Sequence, residues 1–327
     1  MKKESTRALR EGAMMVALTV ILMLLNKYMP LFSLIGVFVC GVPMAALAAR
    51  NGFKVIIPAV VSVFLVAILV DGGVIAAVST ILMSVLPGAV AGYMMGRHEK
   101  FFMTLFATSL AVCVGWIFEL AVLELLVGRG VDELFAEVMQ QTQTMLNTTL
   151  AALGDALSKA EGMTPEAFAK TFIDMLEFTM RLYFPSIVVV SSMFSGYIII
   201  RISGFIIKRT KLADVNVLPF SHLRAPGSVA FVAVVSYFIA MLSDTSSIFG
   251  SVLANVVFIL YMILGICGLS FIDFRLKNSI KASVLRFLIY AAVLLFGGIF
   301  MGIISNILII IGILDSSRDF RKIGISE

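Results

Sequence analysis

The sequence predicts an all-α protein: a polytopic transmembrane helical bundle of about eight to nine spans with an extracytoplasmic amphipathic helical hairpin. Of the 327 residues, 60% are hydrophobic and only 14% are charged, which is too little polar surface to cover a water-soluble globule. Apolar runs of about 20 residues, the length of a membrane-crossing helix, recur from near the N-terminus to near the end of the chain. Ten-residue segments of alternating polarity, typical of membrane barrels, are absent from the sequence.

Nine apolar segments account for the predicted spans. The first eight are 12–29, 31–49, 55–70, 73–95, 101–127, 184–207, 228–242 and 248–271. The last segment, 284–314, would be about 46 Å long as one straight helix, which is more than a bilayer requires. It either crosses the membrane once, which puts Arg318, Arg321 and Lys322 outside, or folds back near Gly298 and Gly302, which keeps these three residues inside. The sequence leaves both alternatives open.

Lysine and arginine side chains are distributed unevenly over the predicted loops. Most lie on the side of the N-terminus. The opposite side carries only Lys27, Arg129, Lys159, Lys170 and Arg181. By the positive-inside rule, this asymmetry predicts a multi-pass protein of the cell membrane with a cytoplasmic N-terminus.

Three regions follow from this arrangement: a five-span core at 1–127, an extracytoplasmic hairpin at 128–183, and a region of three to four spans at 184–327. The hairpin is predicted because its apolar residues recur with a helical period. In its first helix these are Val131, Leu134, Phe135, Val138, Met139, Met145, Leu146, Leu150, Leu153 and Leu157. Its apolar face must be buried against the hairpin itself, the bundle or the outer leaflet.

Motifs of soluble enzymes are absent from the sequence. It contains no phosphate-binding P-loop, H-E-x-x-H, G-x-S-x-G or dinucleotide fingerprint, so we predict no enzyme activity, no catalytic residue and no cofactor. The three cysteines, Cys40, Cys113 and Cys267, lie far apart in apolar runs without metal-ligand spacing, which predicts no metal site. Its basic loops are typical of topology signals beside the lipid bilayer, and we predict no nucleic-acid partner.

Small residues recur at four-residue spacing in several spans. Lipid gives no hydrophobic reward for helix association, so close backbone approach at such stripes is how membrane helices gain contact. We expect Gly88, Gly92 and Gly96, and likewise Gly298 and Gly302, to pack helices within the chain. A similar stripe, Ala13 and Ala17, lies in the first span, in the stretch "EGAMMVALTV". A partner helix and a neighbour within this chain are equally good candidates to cover it.

The fifth span carries an ionisable residue, which is costly in a membrane and therefore informative. In "GWIFELAVLELLVGRG", Trp116 and Glu119 lie one helical turn apart on one face. A carboxylate at that depth needs a partner, a proton or a ligand. Candidate partners at the same predicted level are Asn26, Lys27 and Arg181. These five residues form our predicted ligand site, and a buried structural pair is the alternative.

Three stretches carry a resemblance to a known family: "LPFSHLRAP" before the seventh span, "GICGLSFIDF" in the eighth, and "IGILDSSRDFRK" near the C-terminus. Together with "YFPSIVVVSS", they resemble the YybS family, polytopic membrane proteins of Gram-positive bacteria with a domain of unknown function. The resemblance covers nearly the whole chain and implies a membrane-embedded helical fold without implying an activity.

The N-terminal part is also similar to the substrate-binding S components of energy-coupling-factor transporters. The resemblance rests on the Ala13 and Ala17 stripe and on "LPGAVAGYMMGR", over roughly 7–127. It implies that the stripe docks on a coupling transmembrane subunit, which works with an ATPase, and that a small-molecule substrate binds from outside. We therefore expect the substrate-binding subunit of a small-molecule uptake system. The alternative is a non-transporting scaffold or regulatory protein that binds other membrane proteins.

Overall fold

The structure is a computed structural model that describes residues 2–161, 165–215, 217–279, 303–318 and 320–321. All regular elements in these ranges are helices, which confirms the all-α prediction. They are α1 (Lys2–Tyr28), α2 (Pro30–Val39), α3 (Val42–Asn51), α4 (Phe53–Asp71), α5 (Val74–Thr80), α6 (Leu86–Gly96), α7 (Phe101–Val122), α8 (Val131–Glu161), α9 (Pro165–Arg209), α10 (Gly227–Met241), α11 (Ile248–Ser279) and α12 (Ile303–Ser317).

Seven helical segments within the described ranges are long and apolar enough to cross a membrane. They are Thr6–Tyr28, Pro30–Asn51, Phe53–Asp71, Val74–Gly96, Phe101–Leu126, Ala169–Arg209 and Ile248–Lys277. The seventh predicted span is α10, whose 15 residues extend about 22 Å, less than a hydrocarbon layer of about 30 Å. Most of the ninth, with Gly298 and Gly302, lies outside the described residues. The chain is thus a multi-pass helical bundle with seven of the predicted spans at full length.

The first core cluster lies among α1, α3, α4, α6, α7 and the last part of α9. Its side chains are almost all aliphatic. Those without any exposed surface include Met44, Val63, Ala67, Val85, Ala91 and Ile207. A π-helical turn, Ile81–Val85, joins α5 to α6 immediately before Leu86 and Pro87. The Ser84 hydroxyl in this turn donates to the Val37 carbonyl at 2.7 Å, which links α2 to the α5–α6 segment.

Two stripes of small residues bring α3 and α6 together. The stripe of α6 lies directly against the stripe of α3. The first consists of Gly88, Gly92 and Gly96, and the second consists of Gly41, which immediately precedes α3, and Ala45 and Ala49 within it. A Cβ atom added at Gly92 would lie 2.0 Å from the Ala45 carbonyl oxygen, and one added at Gly88 would lie 2.3 Å from the Gly41 oxygen. The two helices run parallel because the paired residue numbers rise together. Backbone contact at this distance requires residues without large side chains.

We call the end of the bundle where α3 and α6 terminate the basic end, because Arg50, Lys54, Arg97 and Lys100 lie there. The last turns of α9 reach the same end. A Cβ added at Gly204 would lie 3.4 Å from the Met95 sulfur on α6. Lys208 and Arg209, which end α9, therefore belong to the basic end as well.

The predicted hairpin consists of α8 and the first part of α9. It buries part of its apolar face against itself, with Phe135, Met139, Ala169 and Ile173 each less than 10% exposed. The Phe135 and Phe184 rings meet edge to face at 5.2 Å. The second helix continues without a break into the sixth span, so the predicted boundary at 183/184 lies inside α9. On which side of the membrane the hairpin lies stays a prediction.

A polar contact fastens α9 to α11 beside Pro185. Proline cannot donate a backbone hydrogen bond, which weakens the helix locally. The side-chain amide of Asn255 on α11 donates to the Leu182 carbonyl at 2.8 Å. Its oxygen accepts from the Ser186 backbone N–H at 3.2 Å and from the Ser186 hydroxyl at 2.6 Å. This interhelical bond explains a polar residue within an apolar span.

A second, smaller core joins α10, α11 and α12 around Ala230, Ala233 and Leu264. Gly268 of α11 faces Gly312 of α12. A Cβ added at either would lie 2.0 Å from a carbonyl oxygen of the other helix. Arg321 after α12 and Lys277 of α11 both donate to Ser221, so they share one end of the bundle. Of the two alternatives for the C-terminal segment, this agrees with the one that keeps Arg318 and Arg321 on the side of the other basic residues.

Candidate functional site

The most densely bonded polar site of the described structure surrounds a buried arginine, Arg321. Its side chain is 0% exposed and that of its ion-pair partner Asp315 is 1% exposed. The guanidinium donates to Asp315 Oδ2 through Nε at 3.1 Å and through Nη2 at 2.8 Å. It also donates to the Ser221 carbonyl at 2.7 Å, the Ser270 hydroxyl at 2.8 Å and the Cys267 carbonyl at 3.1 Å. These five bonds use all five N–H groups of the side chain.

We call this site the arginine clasp: Ser221, Cys267, Ser270, Asp315 and Arg321. Its members come from three segments separated by about 50 residues each: the connection before α10, the α11 helix, and the end of α12. The Ser270 hydroxyl also donates to the Phe220 and Leu223 carbonyls, at 2.7 and 2.8 Å. A buried guanidinium is tolerated only when it is paired and fully hydrogen-bonded, so the clasp holds these segments in one arrangement.

Around the clasp lie further charges. Arg224 donates to the Asp315 carbonyl at 3.1 Å, and Lys277 forms an ion pair with Asp273 at 2.8 Å. The second carboxylate oxygen of Asp315 and the hydroxyl of Ser316 are buried without a hydrogen-bond partner in the described structure. The N–H groups of Arg321 all donate to other parts of the chain: the Asp315 carboxylate, the Ser270 hydroxyl and two backbone carbonyls. The arrangement therefore holds chain segments together.

The sequence pattern did not predict the clasp as a site, although all three of its segments carry the family resemblance. Asp315 and Arg321 follow the last apolar run, where the polar composition is typical of a loop and does not indicate burial. The available signal was a carboxylate and an arginine six residues apart directly after an apolar helix.

Two residues of the predicted ligand site lie at the end of α1. Lys27 donates to the Val70 carbonyl near the end of α4, where helix carbonyls lack intrahelical partners. Asn26 faces α2, with its side-chain oxygen 1.9 Å from where a Cβ of Gly36 would be. That oxygen is buried without a partner in the described structure. Both residues thus join α1 to its neighbours α2 and α4.

The other three predicted ligand residues lie on α7 and α9. Arg181 forms ion pairs within the hairpin, with Asp132 and with Glu177 at 2.9 Å. Trp116 is 36% exposed on the outside of α7, and Glu119 is half-buried one turn further on. No hydrogen bond or ion pair among the described residues joins Glu119 to Asn26, Lys27 or Arg181. The five residues therefore lie in three places, the end of α1, α7 and the hairpin, and their role in ligand binding stays a prediction.

The first helix uses only one of its faces for contact with the bundle. The face towards α3 and α4 is buried and consists of Gly12, Met15, Thr19 and Met23. On the other face, Ala13 and Ala17 are exposed. Large apolar side chains beside them are exposed as well: Leu9, Met14, Leu18, Ile21 and Leu24. No described part of the chain covers the Ala13 and Ala17 stripe.

This chain is similar in sequence to known membrane proteins. A family described as "Predicted membrane protein (DUF2232)" matches residues 17–316. The chain belongs to this family. A relative, "Uncharacterized protein YybS" of Bacillus subtilis (strain 168), is 26% identical over 276 residues, which cover 83% of this chain and 85% of the relative. The resemblance to the YybS family is thereby confirmed. No solved structure matches the chain.

The DUF2232 match includes most of the arginine clasp and the C-terminal part of α1. It contains Ser221, Cys267, Ser270 and Asp315 but ends before Arg321, and it begins at Ala17, after Ala13. Within the described residues, no group of three His, Cys, Asp or Glu side chains is arranged to hold a metal ion. The three cysteines are free thiols. The family description assigns a membrane location and no activity.

Proposed function

We propose that this protein is the membrane-embedded, substrate-binding subunit of a small-molecule uptake system. In this proposal it lies in the cell membrane with its N-terminus in the cytoplasm. The outer face of α1 docks on a coupling transmembrane subunit, which an ATPase drives. The observation that carries the proposal is the outward position of Ala13 and Ala17 on α1.

The contrast with the other small-residue stripes supports this interpretation. The stripes of α3 and α6 cover each other, and Gly268 and Gly312 do the same between α11 and α12. A large apolar side chain packs against lipid tails as well as it packs against protein. A pair of alanines one turn apart instead favours the close approach of another helix. The stripe of α1 has the same spacing and no cover from the described chain, which favours a partner helix.

The substrate would bind from outside, towards Trp116 and Glu119. A carboxylate within an apolar span is costly unless it has a function or a partner, and no hydrogen bond or ion pair joins the Glu119 side chain to another described residue. The π-helical turn that follows, Leu123–Val127, is a feature often found at functional sites of membrane and soluble helices. These are the grounds for keeping α7 as the proposed ligand-binding element.

Affinity purification from the native membrane tests the proposal. We expect the wild-type protein to retain a coupling subunit and an ATPase, and we expect Ala13→Leu and Ala17→Leu to lose them. The matched control is Ala76→Leu, because Ala76 is an exposed alanine on α5. Retention of the same proteins by all variants, or their absence from the wild type, would refute docking through α1.

A second candidate is a non-transporting scaffold or regulator that binds other membrane proteins through the hairpin. The distribution of the five predicted ligand residues over three places, the end of α1, α7 and the hairpin, favours it. In that case Glu119→Gln leaves function intact, whereas charge changes at Lys170 and Asp174, which border a groove of the hairpin, abolish partner binding. Loss of substrate binding in Glu119→Gln with an unaffected hairpin variant would favour the uptake proposal instead.

A further inference from the structure

A cleft of about 420 Å³ opens at the basic end of the bundle, where α3 and α6 end and α4 begins. Its lining residues are Ala48, Ala49, Asn51, Gly52, Phe53, Lys54, Tyr93, Gly96 and Arg97. The cleft exists because the chain turns sharply at Gly52, with a φ of +66°, and because this glycine carries no side chain. A Cβ at Gly52 would meet nothing within 4 Å.

The charge of the cleft is entirely positive. Lys54 and Arg97 are the charged residues of its lining, and both side chains are exposed. The nearby carboxylate of Glu11 accepts from the side-chain amide of Asn51 in the lining at 3.4 Å, and it forms ion pairs with Arg7 at 3.0 Å and Arg50 at 3.2 Å. Glu11 therefore offsets part of the charge of Arg7 and Arg50, and it forms no ion pair with Lys54 or Arg97 in the described structure.

Aromatic contacts hold one of these cations in position. The Arg97 guanidinium carbon lies 4.9 Å from the centre of the Tyr93 ring, within the range of a cation–π interaction. The Tyr93 ring in turn lies 4.0 Å from the Phe53 ring, measured between centres. A guanidinium supported in this way loses less freedom on binding an anion than a solvated side chain would.

We infer that this cleft binds a phosphate group, carried either by an anionic phospholipid headgroup or by a soluble phosphate compound. Arginine offers a planar fork of donors and lysine a compact charge, and both are common phosphate ligands. The cleft volume lies within the range of small-molecule sites. A basic pocket between membrane helices, such as this cleft at the basic end of the bundle, is suited to anionic headgroups. This inference is independent of the proposed docking through α1.

Lipid titration of the full-length protein, followed by native mass spectrometry, tests the inference. We expect dioleoylphosphatidylglycerol to bind more tightly than dioleoylphosphatidylcholine. In the double variant Lys54→Gln and Arg97→Gln, we expect the affinity for the anionic lipid to fall roughly 30-fold, since each nearby cation contributes about fivefold to that affinity. The matched control is the double variant Lys208→Gln and Arg209→Gln. It removes the same charge from the same end of the bundle but outside the cleft, and we expect it to weaken binding of the anionic lipid less than threefold.

A competition arm distinguishes the two sources. Displacement of the anionic lipid by millimolar inorganic phosphate, or phosphate binding without lipid, assigns the cleft to soluble phosphates. Resistance to phosphate with a preference for the anionic lipid assigns it to a headgroup. Equal binding of both lipids without phosphate binding, or equal loss in the cleft and control variants, overturns the inference. Unchanged melting temperatures of both double variants establish that the comparison is made on folded protein.

Discussion

Replacing Gly92 by alanine should separate α3 from α6. The added Cβ would lie 2.0 Å from the Ala45 carbonyl oxygen, about 1.4 Å short of ordinary van der Waals contact, which begins at 3.4 Å. The obstructing atoms belong to the backbone of α3, so no side-chain rotation relieves the overlap. Gly12→Ala is the matched control, because a Cβ there would lie 3.5 Å from a methyl group of Val55.

The expected difference follows from two opposing effects. Alanine is favoured over glycine in a helix by about 1 kcal/mol, and this gain applies at both positions. Overpacking costs about 1–3 kcal/mol and applies at Gly92 alone. We therefore expect Gly92→Ala to destabilise the protein by about 1 kcal/mol and Gly12→Ala to stabilise it by a similar amount. The difference of about 2 kcal/mol corresponds to roughly a 30-fold change in the opened fraction.

Thiol alkylation measures this opening locally. Cys40 immediately precedes the α3 interface and is 2% exposed, whereas Cys267 lies in the second core and is 5% exposed. In detergent solution, Gly92→Ala should accelerate the alkylation of Cys40 and leave that of Cys267 unchanged, as peptide mass spectrometry would show. Equal Cys40 rates in the Gly92 and Gly12 variants would refute the close packing of the two stripes.

Two further predictions concern buried polar groups. Asp315→Ala leaves the Arg321 guanidinium buried without its carboxylate, so we expect destabilisation by about 3–5 kcal/mol and faster alkylation of Cys267. Replacing both partners with Leu and Met should recover most of that loss in the same assay, and a double variant as unstable as the single one would contradict the explanation. Asn255→Leu removes the bonds beside Pro185 and should lower thermal stability by about 1 kcal/mol. An unchanged melting temperature would show that these bonds contribute little.

The spans were predictable because hydropathy is a local property. A run of apolar residues such as 55–70 identifies a membrane helix without reference to any other segment, and the structure has α4 at Phe53–Asp71. The uninterrupted course of α9 was not predictable in the same way. The amphipathic pattern before Tyr183 and the apolar pattern after it differ in composition, which suggests two elements, although one helix carries both.

The candidate sites depended on contacts between distant segments. Periodicity indicates that Gly88, Gly92 and Gly96 form a contact face, but it does not specify Gly41, Ala45 and Ala49 as the opposite face, since several stripes have the same spacing. The arginine clasp shows the same limit. Ser221 and Arg321 lie 100 residues apart, and neither is surrounded by a local pattern that indicates burial.

The sequence by itself determined that this is a helical membrane protein, approximately where its helices lie, and which family it resembles. Each of these follows from composition, hydropathy or short motifs, which are read one segment at a time. The tertiary structure alone decided which small-residue stripes are covered, that no described part of the chain covers Ala13 and Ala17, and that Arg321 is buried. Lipid tails and apolar side chains are equally hydrophobic, so the partner of a membrane helix is selected by close backbone fit and by buried hydrogen bonds. Both exist only once the helices are assembled.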